Sequence, residues 1–336
     1  MNVIIPMAGM GKRLRPHTLT TPKPLLPVAG KPIVQRLVED IVRLSHRPVE
    51  RIGYITGRFG EEAEQHLLAV AAALGAQGSI HYQDQPLGTA HAILCAEELL
   101  SGEVTVAFAD TLFRADFELD TSQDGVLWVQ QIADPRQFGV VVVNEEGIIT
   151  QFAEKPTEFV SDLAMIGIYY FRKGEELRSQ LNYLMDHNIM NGGEYQLPDA
   201  LRRMVEAGAR FTPGKVADWM DCGNKDALVD TNRKVLRYMA HENQVPVSST
   251  VEHSTIDPLS KVGEGCVIRN SDIGPGVSLG KGCVVEDCTL RDCIILDRAA
   301  LQRSVLSNSM VGAYARVADF KGELSLGDYS SISRAN

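Results

Sequence analysis

Through the larger, N-terminal part of the chain, short apolar runs alternate with stretches whose apolar residues recur at helical spacing. Val3-Ile4-Ile5-Pro6-Met7 is a continuous apolar run and predicts a buried first strand. From Ile33 to Leu44, the residues Ile33, Leu37, Ile41 and Leu44 share one helical face. Arg51 to Thr56 predicts a second strand, and the alanine- and leucine-rich stretch Glu61 to Leu74 a helix ending near Gly75. Ile80 to Gln83 predicts a third strand, Thr89 to Leu100 a helix, and Val104 to Ala109 a fourth strand. Strands alternating with helices predict an α/β fold built on a doubly wound, mostly parallel sheet. Ligands of such sheets bind beyond the carboxyl ends of the strands. Val126 to Ile132 predicts a further strand. Phe138 to Val143 and Ile148 to Phe152, joined by Asn144-Glu145-Glu146-Gly147, predict a hairpin. Ala164 to Phe171 is an apolar strand with Gly167 inside, and an interior glycine weakens a strand unless something must approach closely. Glu194 to Met204 and Asp226 to Tyr238 predict the last helices.

From about Val251 the period changes. Aliphatic residues recur every five or six positions, at Ile256, Val262, Ile268, Ile273, Leu279, Val285, Leu290, Ile295, Leu301, Leu306, Val311 and Val317. Glycine pairs punctuate them, as in Gly263-Glu264-Gly265 and Gly280-Lys281-Gly282. The pattern resembles a left-handed parallel β-helix of hexapeptide repeats, in which each repeat forms one face of a triangular coil and points its aliphatic residue inward. Cys266 and Cys283 fall at the small inward position of that repeat, so core packing is their expected role. Some proteins with this domain are acyltransferases that use a histidine, but the tail contains only His253, outside the clear repeats. A structural role is expected for it, together with assembly into a homo-oligomer. The division expected is a first domain over residues 1–240 and a β-helix over 246–336.

A chain of 336 residues is too long for one typical core and agrees with two domains. The formal net charge of −10 argues against general nucleic-acid binding. No apolar run approaches the roughly 20 residues of a membrane span. Met1 runs almost directly into the first strand without a charged leader, so a cytoplasmic location is expected. The six cysteines contain no CxxC pair, which argues against zinc, and with no secretion signal visible they are expected to be reduced.

Against that acidic background, residues 8 to 31 form a local basic segment. Gly9 and Gly11 let the backbone turn tightly after the first strand, where successive N–H groups form a nest for anions. Lys12, Arg13, Arg15, Lys23 and Lys31 follow, and Pro16, Pro22, Pro24 and Pro27 keep the segment stiff. Two familiar phosphate loops do not fit. The dinucleotide fingerprint lacks its third glycine, and the P-loop lacks its Gly-Lys-Ser/Thr. The pattern that fits is Gly-x-Gly-x-Arg-Leu-x-Pro-x-Thr, then Pro-Lys-Pro-Leu-Leu-Pro-Val, then Lys-Pro. It resembles the sugar-1-phosphate nucleotidyltransferases, in particular those of the glucose-1-phosphate thymidylyltransferase type.

The resemblance implies a Rossmann-like catalytic domain, Mg²⁺ as cofactor, and a nucleoside triphosphate and a sugar-1-phosphate as substrates. Ala8, Gly9 and Gly11 would line the nucleotide. So would Gln83, Pro86, Gly88 and Thr89, from a segment similar to the family's base-binding loop. A glutamine can donate and accept at once, which matches the imide edge of uracil or thymine, so dTTP or UTP comes first. His91 is left without a role. Asp110, at the end of the fourth strand, would bind the metal; the family usually has Gly-Asp where this chain has Ala109-Asp110. In isolation Asp110 would be taken for a cap or turn residue. Trp219-Met220-Asp221-Cys222-Gly223 resembles the family's Trp-x-Asp-x-Gly and makes Asp221 the second carboxylate on the metal. Glu154-Lys155-Pro156 would put Lys155 on the sugar phosphate and Glu154 near sugar hydroxyls. Gly139 and Gly167 would pack under the sugar ring. Glu194 would stand near the sugar or, equally, be an acidic residue in a first helical turn.

In the reaction so implied, an oxygen of the sugar-1-phosphate attacks the α-phosphorus and expels pyrophosphate. Arg13 holds the leaving group, Lys23 the α-phosphate and Lys155 the incoming phosphate. Glucose-1-phosphate is the first sugar expected. Mannose-1-phosphate with GTP, a non-catalytic regulatory homologue, and a bifunctional chain with an acyltransferase tail are the alternatives.

Overall fold

In the computed structural model the first apolar run lies inside a nine-stranded sheet. The structure describes residues 1–333 apart from 10, 46, 116–120, 155 and 243. Asn2–Pro6 is buried along its whole length and pairs in parallel with Arg51–Thr56 on one side and Val104–Ala107 on the other. Gln77–Tyr82 extends this parallel set. A strand covered on both faces needs no polar alternation, which accounts for the unbroken Val3-Ile4-Ile5.

Beyond Val104–Ala107 the sheet changes sense. Leu163–Phe171 runs antiparallel to Val104–Ala107, Gly125–Gln131 and Gly139–Val143, and Ile149–Glu154 pairs antiparallel with Gly139–Val143. Phe211–Lys215 lies parallel to Gly125–Gln131. The expected parallel, doubly wound arrangement therefore holds for the strands before residue 110, and the sheet as a whole is mixed. For the hairpin of Gly139–Val143 and Ile149–Glu154 the physical reason is the length of the connection. The tight turn at residues 144–148 can return a strand only antiparallel, whereas parallel pairs need a crossover.

Six helices are found among the described residues: α1 Ile33–Leu44, α2 Glu61–Ala73, α3 Thr89–Leu94, α4 Gly174–Asp186, α5 Leu197–Glu206 and α6 Lys225–Tyr238. α1 has the bounds its spacing predicts. α3 is shorter than expected, ending at Leu94 and passing into a 3-10 turn at Glu97–Leu99. After the bend Leu99 is buried and packs over Gly53, whose missing side chain leaves it room. α5 begins three residues later than expected, at Leu197, for a reason found in the site below.

The chain divides into two compact units, Met1–Gly9 with Gln35–Trp219, and Met10–Val34 with Met220–Asn336. The first contains the sheet and α2 to α5. The second contains the basic segment, α6 and the tail. In the tail, Thr250–Glu252, Val267–Arg269, Val284–Glu286, Ala300–Gln302, Arg316–Ala318 and Ser331–Ser333 stack in register as one parallel sheet, beside a second parallel sheet. This is the left-handed parallel β-helix that the repeat predicts, with Ile268, Leu279, Val285, Leu290, Leu301 and Val317 in its core. Its coils are shorter than three full hexapeptides. Equivalent positions lie 17 residues apart at Ser249 and Cys266, 16 at Ser304 and Phe320, and 15 at Ser309 and Leu324. Non-glycine residues with left-handed backbone turn the shortened corners, among them Asn270, Asp287, Arg303 and Asp319. Cys266 and Cys283 are fully buried, and all six cysteines are free. Burial pushes the Cys293 thiol up to about 11, which keeps it inert. No helix among the described residues is long and apolar enough to cross a membrane.

Candidate functional site

Strand register gathers several of the expected residues of the first unit at one edge of the sheet. Because Asn2, Arg51, Gln77 and Val104 lie side by side, the chain leaves all four parallel strands at the same edge, at Ala8-Gly9, Gly57, Gln83 and Phe108 to Asp110. Ile168 pairs with Ala107 on an antiparallel strand, so Gly167 comes to the same edge; its carbonyl accepts from Phe108 N at 2.9 Å. Ala164 pairs with Val140 and Glu154 with Gly139, which brings Gly139 and Glu154 there too. Carboxyl ends of parallel strands are where such sheets bind ligands.

The loop after Gln77–Tyr82 is held from within. Gln83 N donates to Thr56 O at 3.0 Å, and Gln83 Nε2 donates to Gly88 O at 3.1 Å while lying 3.1 Å from His91 Nδ1. A carbonyl oxygen only accepts, so the amide's NH₂ end must face Gly88 and the carbonyl end must point the other way. Burial lowers the His91 pKa, and the neutral ring accepts at Nδ1. His91, left without a role by sequence, thus orients Gln83. Gly88 has φ +109°, and an added Cβ would collide with Tyr195 O and stand 2.8 Å from Tyr195 N. Its neighbours Leu87 O and Ala90 N bond the same residue at 2.8 and 2.9 Å. The close approach that requires a glycine here is made by the chain's own backbone. Thr89 Oγ1 accepts from Leu197 N at 2.9 Å, tying the start of α3 to the start of α5. Since Tyr195 spends its backbone groups on this loop, α5 cannot begin before it. Glu194 accordingly lies outside the helix, in an isolated bridge with Asn191, and accepts from Gln196 Nε2 at 3.0 Å. The alternative of a first-turn acid fails for Glu194; Asp199 occupies that place. Pro86 is exposed in the same loop.

Asp110 is exposed just past the strand end, after the buried Ala109, whose N–H donates to Pro6 O at 3.3 Å. Glu154 is exposed at the end of its strand. Asp110 and Glu154 both act on the fully buried Tyr169 hydroxyl: burial raises its pKa, and the two carboxylates add to the rise, Glu154 the more. Two acids of the sequence expectation are therefore within electrostatic reach of one phenol that the sequence did not single out. Met165 Cε and Glu154 Oε2 lie 2.6 and 2.7 Å from the point where a Cβ on Gly139 would stand. Gly167 has φ +84° at a register shift in its strand, between Met165 and Tyr169, and Phe108 Cβ lies 3.5 Å from its added Cβ. Trp219 donates through Nε1 to Thr111 Oγ1 at 2.5 Å and packs edge-on against Phe138. Lys155 lies outside the described residues. No group of three or more His, Cys, Asp or Glu among the described residues surrounds a common point.

In the second unit, Gly11 adopts left-handed backbone at φ 58° and ψ 38°, and its carbonyl accepts from Thr18 Oγ1 at 2.8 Å. Lys23 is 8% exposed, and its stem lies against Gly11, its Cβ 2.8 Å from where a Cβ of residue 11 would be. Arg13 is exposed, with a guanidinium nitrogen 3.3 Å from the added-Cβ point of Gly223. Both carboxylate oxygens of Asp221 lie 3.1 Å from that same point. Gly223 N donates to Asp221 Oδ1 at 3.0 Å, and Thr231 Oγ1 donates to Asp221 O at 2.7 Å. The two motifs, distant in sequence, meet here at Gly223: a side chain at this position would push on both Arg13 and Asp221.

A sequence model of the family described as Nucleotidyl transferase matches residues 2–238. The low-salt glycan biosynthesis nucleotidyltransferase Agl11 of Haloferax volcanii is 30% identical over 278 residues, which cover 79% of this chain and 73% of that protein. The mannose-1-phosphate guanylyltransferase catalytic subunit beta of Drosophila melanogaster is 30% identical over 277 residues, covering 78% and 71%. The bifunctional protein GlmU of Methanococcus maripaludis is 28% identical over 273 residues, covering 80% and 62%.

Proposed function

The chain belongs to the nucleotidyl transferase family, and from that premise we propose that it joins a nucleoside triphosphate to a sugar-1-phosphate, forming a nucleotide sugar and releasing pyrophosphate. The observation that carries the reading is the row of Ala8, Gln83, Asp110, Gly139, Glu154 and Gly167 along one edge of the sheet. The reaction needs no protein nucleophile, only positioning and neutralisation of charge. Arg13 presents a planar fork to the leaving pyrophosphate, and Lys23 a point charge to the α-phosphate. Lys155 holds the incoming phosphate, and Glu154 and Glu194 accept hydrogen bonds from sugar hydroxyls. Asp110 and Asp221 offer hard oxygen donors. Two carboxylates suit Mg²⁺, which keeps water and substrate phosphates for its remaining positions. Bound there, the ion would screen repulsion between the two anionic substrates. The net charge of −10 favours small-molecule substrates over nucleic acid, and the reading takes the enzyme to be cytoplasmic.

Glucose-1-phosphate with dTTP or UTP is the first pairing to test. Mannose-1-phosphate with GTP is the second, and the orientation of Gln83 admits it. With its NH₂ end engaged by Gly88 and His91, Gln83 turns a carbonyl outward. A lone acceptor suits the N1–H and N2–H₂ edge of guanine as well as the N3–H of a pyrimidine. The similarity to a mannose-1-phosphate guanylyltransferase points the same way. Pyrophosphate release is to be measured with Mg²⁺ over a matrix of nucleoside triphosphates and sugar-1-phosphates. Release that requires both partners establishes the reaction and names them. Silence across the matrix, from folded protein, rejects the catalytic reading in favour of a regulatory homologue.

A further inference from the structure

The basic segment is braced on the rest of its unit at both limbs. On the first limb, His17 is 1% exposed and its Nε2 lies 3.1 Å from Ser325 Oγ. Thr20 Oγ1 donates to Asp328 Oδ2 at 2.6 Å. Pro16 packs on Gly327, where an added Cβ would lie 3.0 Å from Pro16 Cβ. Ser325, Gly327 and Asp328 belong to the last coil of the β-helix. On the second limb, Ala29 N donates to Asn232 Oδ1 at 2.8 Å. Asn232 is fully buried on α6 and is itself fixed by the β-helix. Ser278 Oγ donates to Oδ1 at 2.9 Å, and Asn232 Nδ2 donates to Gly276 O at 2.9 Å.

Lys23 stands on the stretch between these limbs, and Arg13 lies three residues before the first of them. From Lys12 to Leu25 the regular structure of the basic segment is three 3-10 turns of three residues each, Lys12–Leu14, His17–Leu19 and Lys23–Leu25, followed by the short antiparallel pair Pro27–Val28 and Lys31–Pro32. Such turns have poor hydrogen-bond geometry and do not hold a shape unaided. Four prolines and five cations add stiffness and mutual repulsion, and neither selects one geometry.

We infer that the β-helix is the positioning scaffold of the basic segment: Ser325 and Gly327 on the last coil, and Asn232 on α6, hold residues 11–31 in the shape that keeps Arg13 beside Asp221. The inference rests on the nucleotidyl-transfer reading for its kinetic consequence and stands on the geometry alone for its structural one. A loop ordered in advance does not have its ordering entropy deducted from substrate binding. The tail is then part of the catalytic unit, and Ser325, Gly327 and Asn232 are positioning residues that touch no substrate.

The test uses the full chain with Ser325→Ala, Ser325→Thr, Gly327→Ala and Asn232→Ala. Two quantities are read: steady-state pyrophosphate release, and hydrogen exchange at the amides of Leu14, Leu19 and Leu25, which close the three turns. The expected result for Ser325→Ala and Gly327→Ala is faster exchange at these amides with no change in α2. It is accompanied by a fall of roughly tenfold in kcat/KM for the nucleotide, an unchanged KM for the sugar phosphate, and recovery in Ser325→Thr. Asn232 is buried, so its variant is read only if it folds; exposed Ser325 keeps the test decisive. Unchanged exchange and kinetics in both coil variants would overturn the inference. If the unmodified chain releases no pyrophosphate with any substrate pair, the functional reading fails, and exchange at the three amides still decides whether the coil holds the loop.

Discussion

Gly88 leaves no room for a side chain, because Tyr195's backbone already fills the space. Gly88→Ala should cost about 1 to 3 kcal/mol from backbone strain alone, seen as a lower urea midpoint, and should slow turnover by shifting the loop that holds Gln83. Equal stability to the unmodified protein would remove the steric reading. Lys155→Ala should raise the KM for the sugar phosphate well above any change for the nucleotide; equal effects on both would count against its role. His17 makes a prediction about acid. Burial pushes its pKa down to about 4, opposed by the Asp328 charge, against an ordinary value of 6.5. Above pH 6.5 the imidazole is neutral whether folded or not. Between 6.5 and 4 only the unfolded chain takes the proton, so stability is lost as pH falls through that window, by on the order of 3 kcal/mol. His17→Gln should remove that portion. Carboxylates titrate nearby, so the quantity to compare is the difference between the two proteins in urea unfolding at pH 7 and pH 4.5. An identical pH dependence in both would contradict it.

At the scale of elements, periodicity was a good guide where one face alone decides the outcome. α1 has the bounds its spacing predicts, because an amphipathic stripe needs only a core to lie on. It failed where a partner distant in sequence sets the boundary. Leu99 packs over Gly53 just beyond the early end of α3, and Tyr195 delays α5 by bonding the loop at Leu87 and Ala90. α6 offers a check on local chemistry. Asn224 accepts from Ala227 N at 3.0 Å as its N-cap, so Asn224→Ala should lower stability by about 1 kcal/mol in thermal unfolding. A larger loss, with slower turnover, would mean that α6 also carries the strain of holding Asn232 in place.

For the whole molecule, the β-helix core of Ile268, Leu279, Val285, Leu290, Leu301 and Val317 is the part most completely foreshadowed by its repeat. Light scattering on the 36.8 kDa chain should give a multiple of that mass if the tail also assembles copies, as the resemblance of its repeat implies. A monomer across the micromolar range would leave the tail its role within one chain only. The two compact units cut the sequence at residues 9, 34 and 219. The basic segment thereby shares a unit with the tail, although more than two hundred residues separate His17 from Ser325.

By itself the sequence determined the elements with a strong period, the inward positions of the β-helix, and the identity of the motif residues, since all of these depend on local spacing and side-chain chemistry. Only the tertiary structure decided the antiparallel half of the sheet, the late start of α5, the engagement of Gln83 with Gly88 and His91, and the neighbourhood of Tyr169 with Asp110 and Glu154. It also revealed His17 and Asn232. A polar residue within the apolar stripe of Leu228, Val235 and Leu236 was the one local sign of Asn232. These features are fixed by backbone groups and buried partners far apart in the chain, and a hydrogen bond between residues 29 and 232 leaves no mark on the period of either segment.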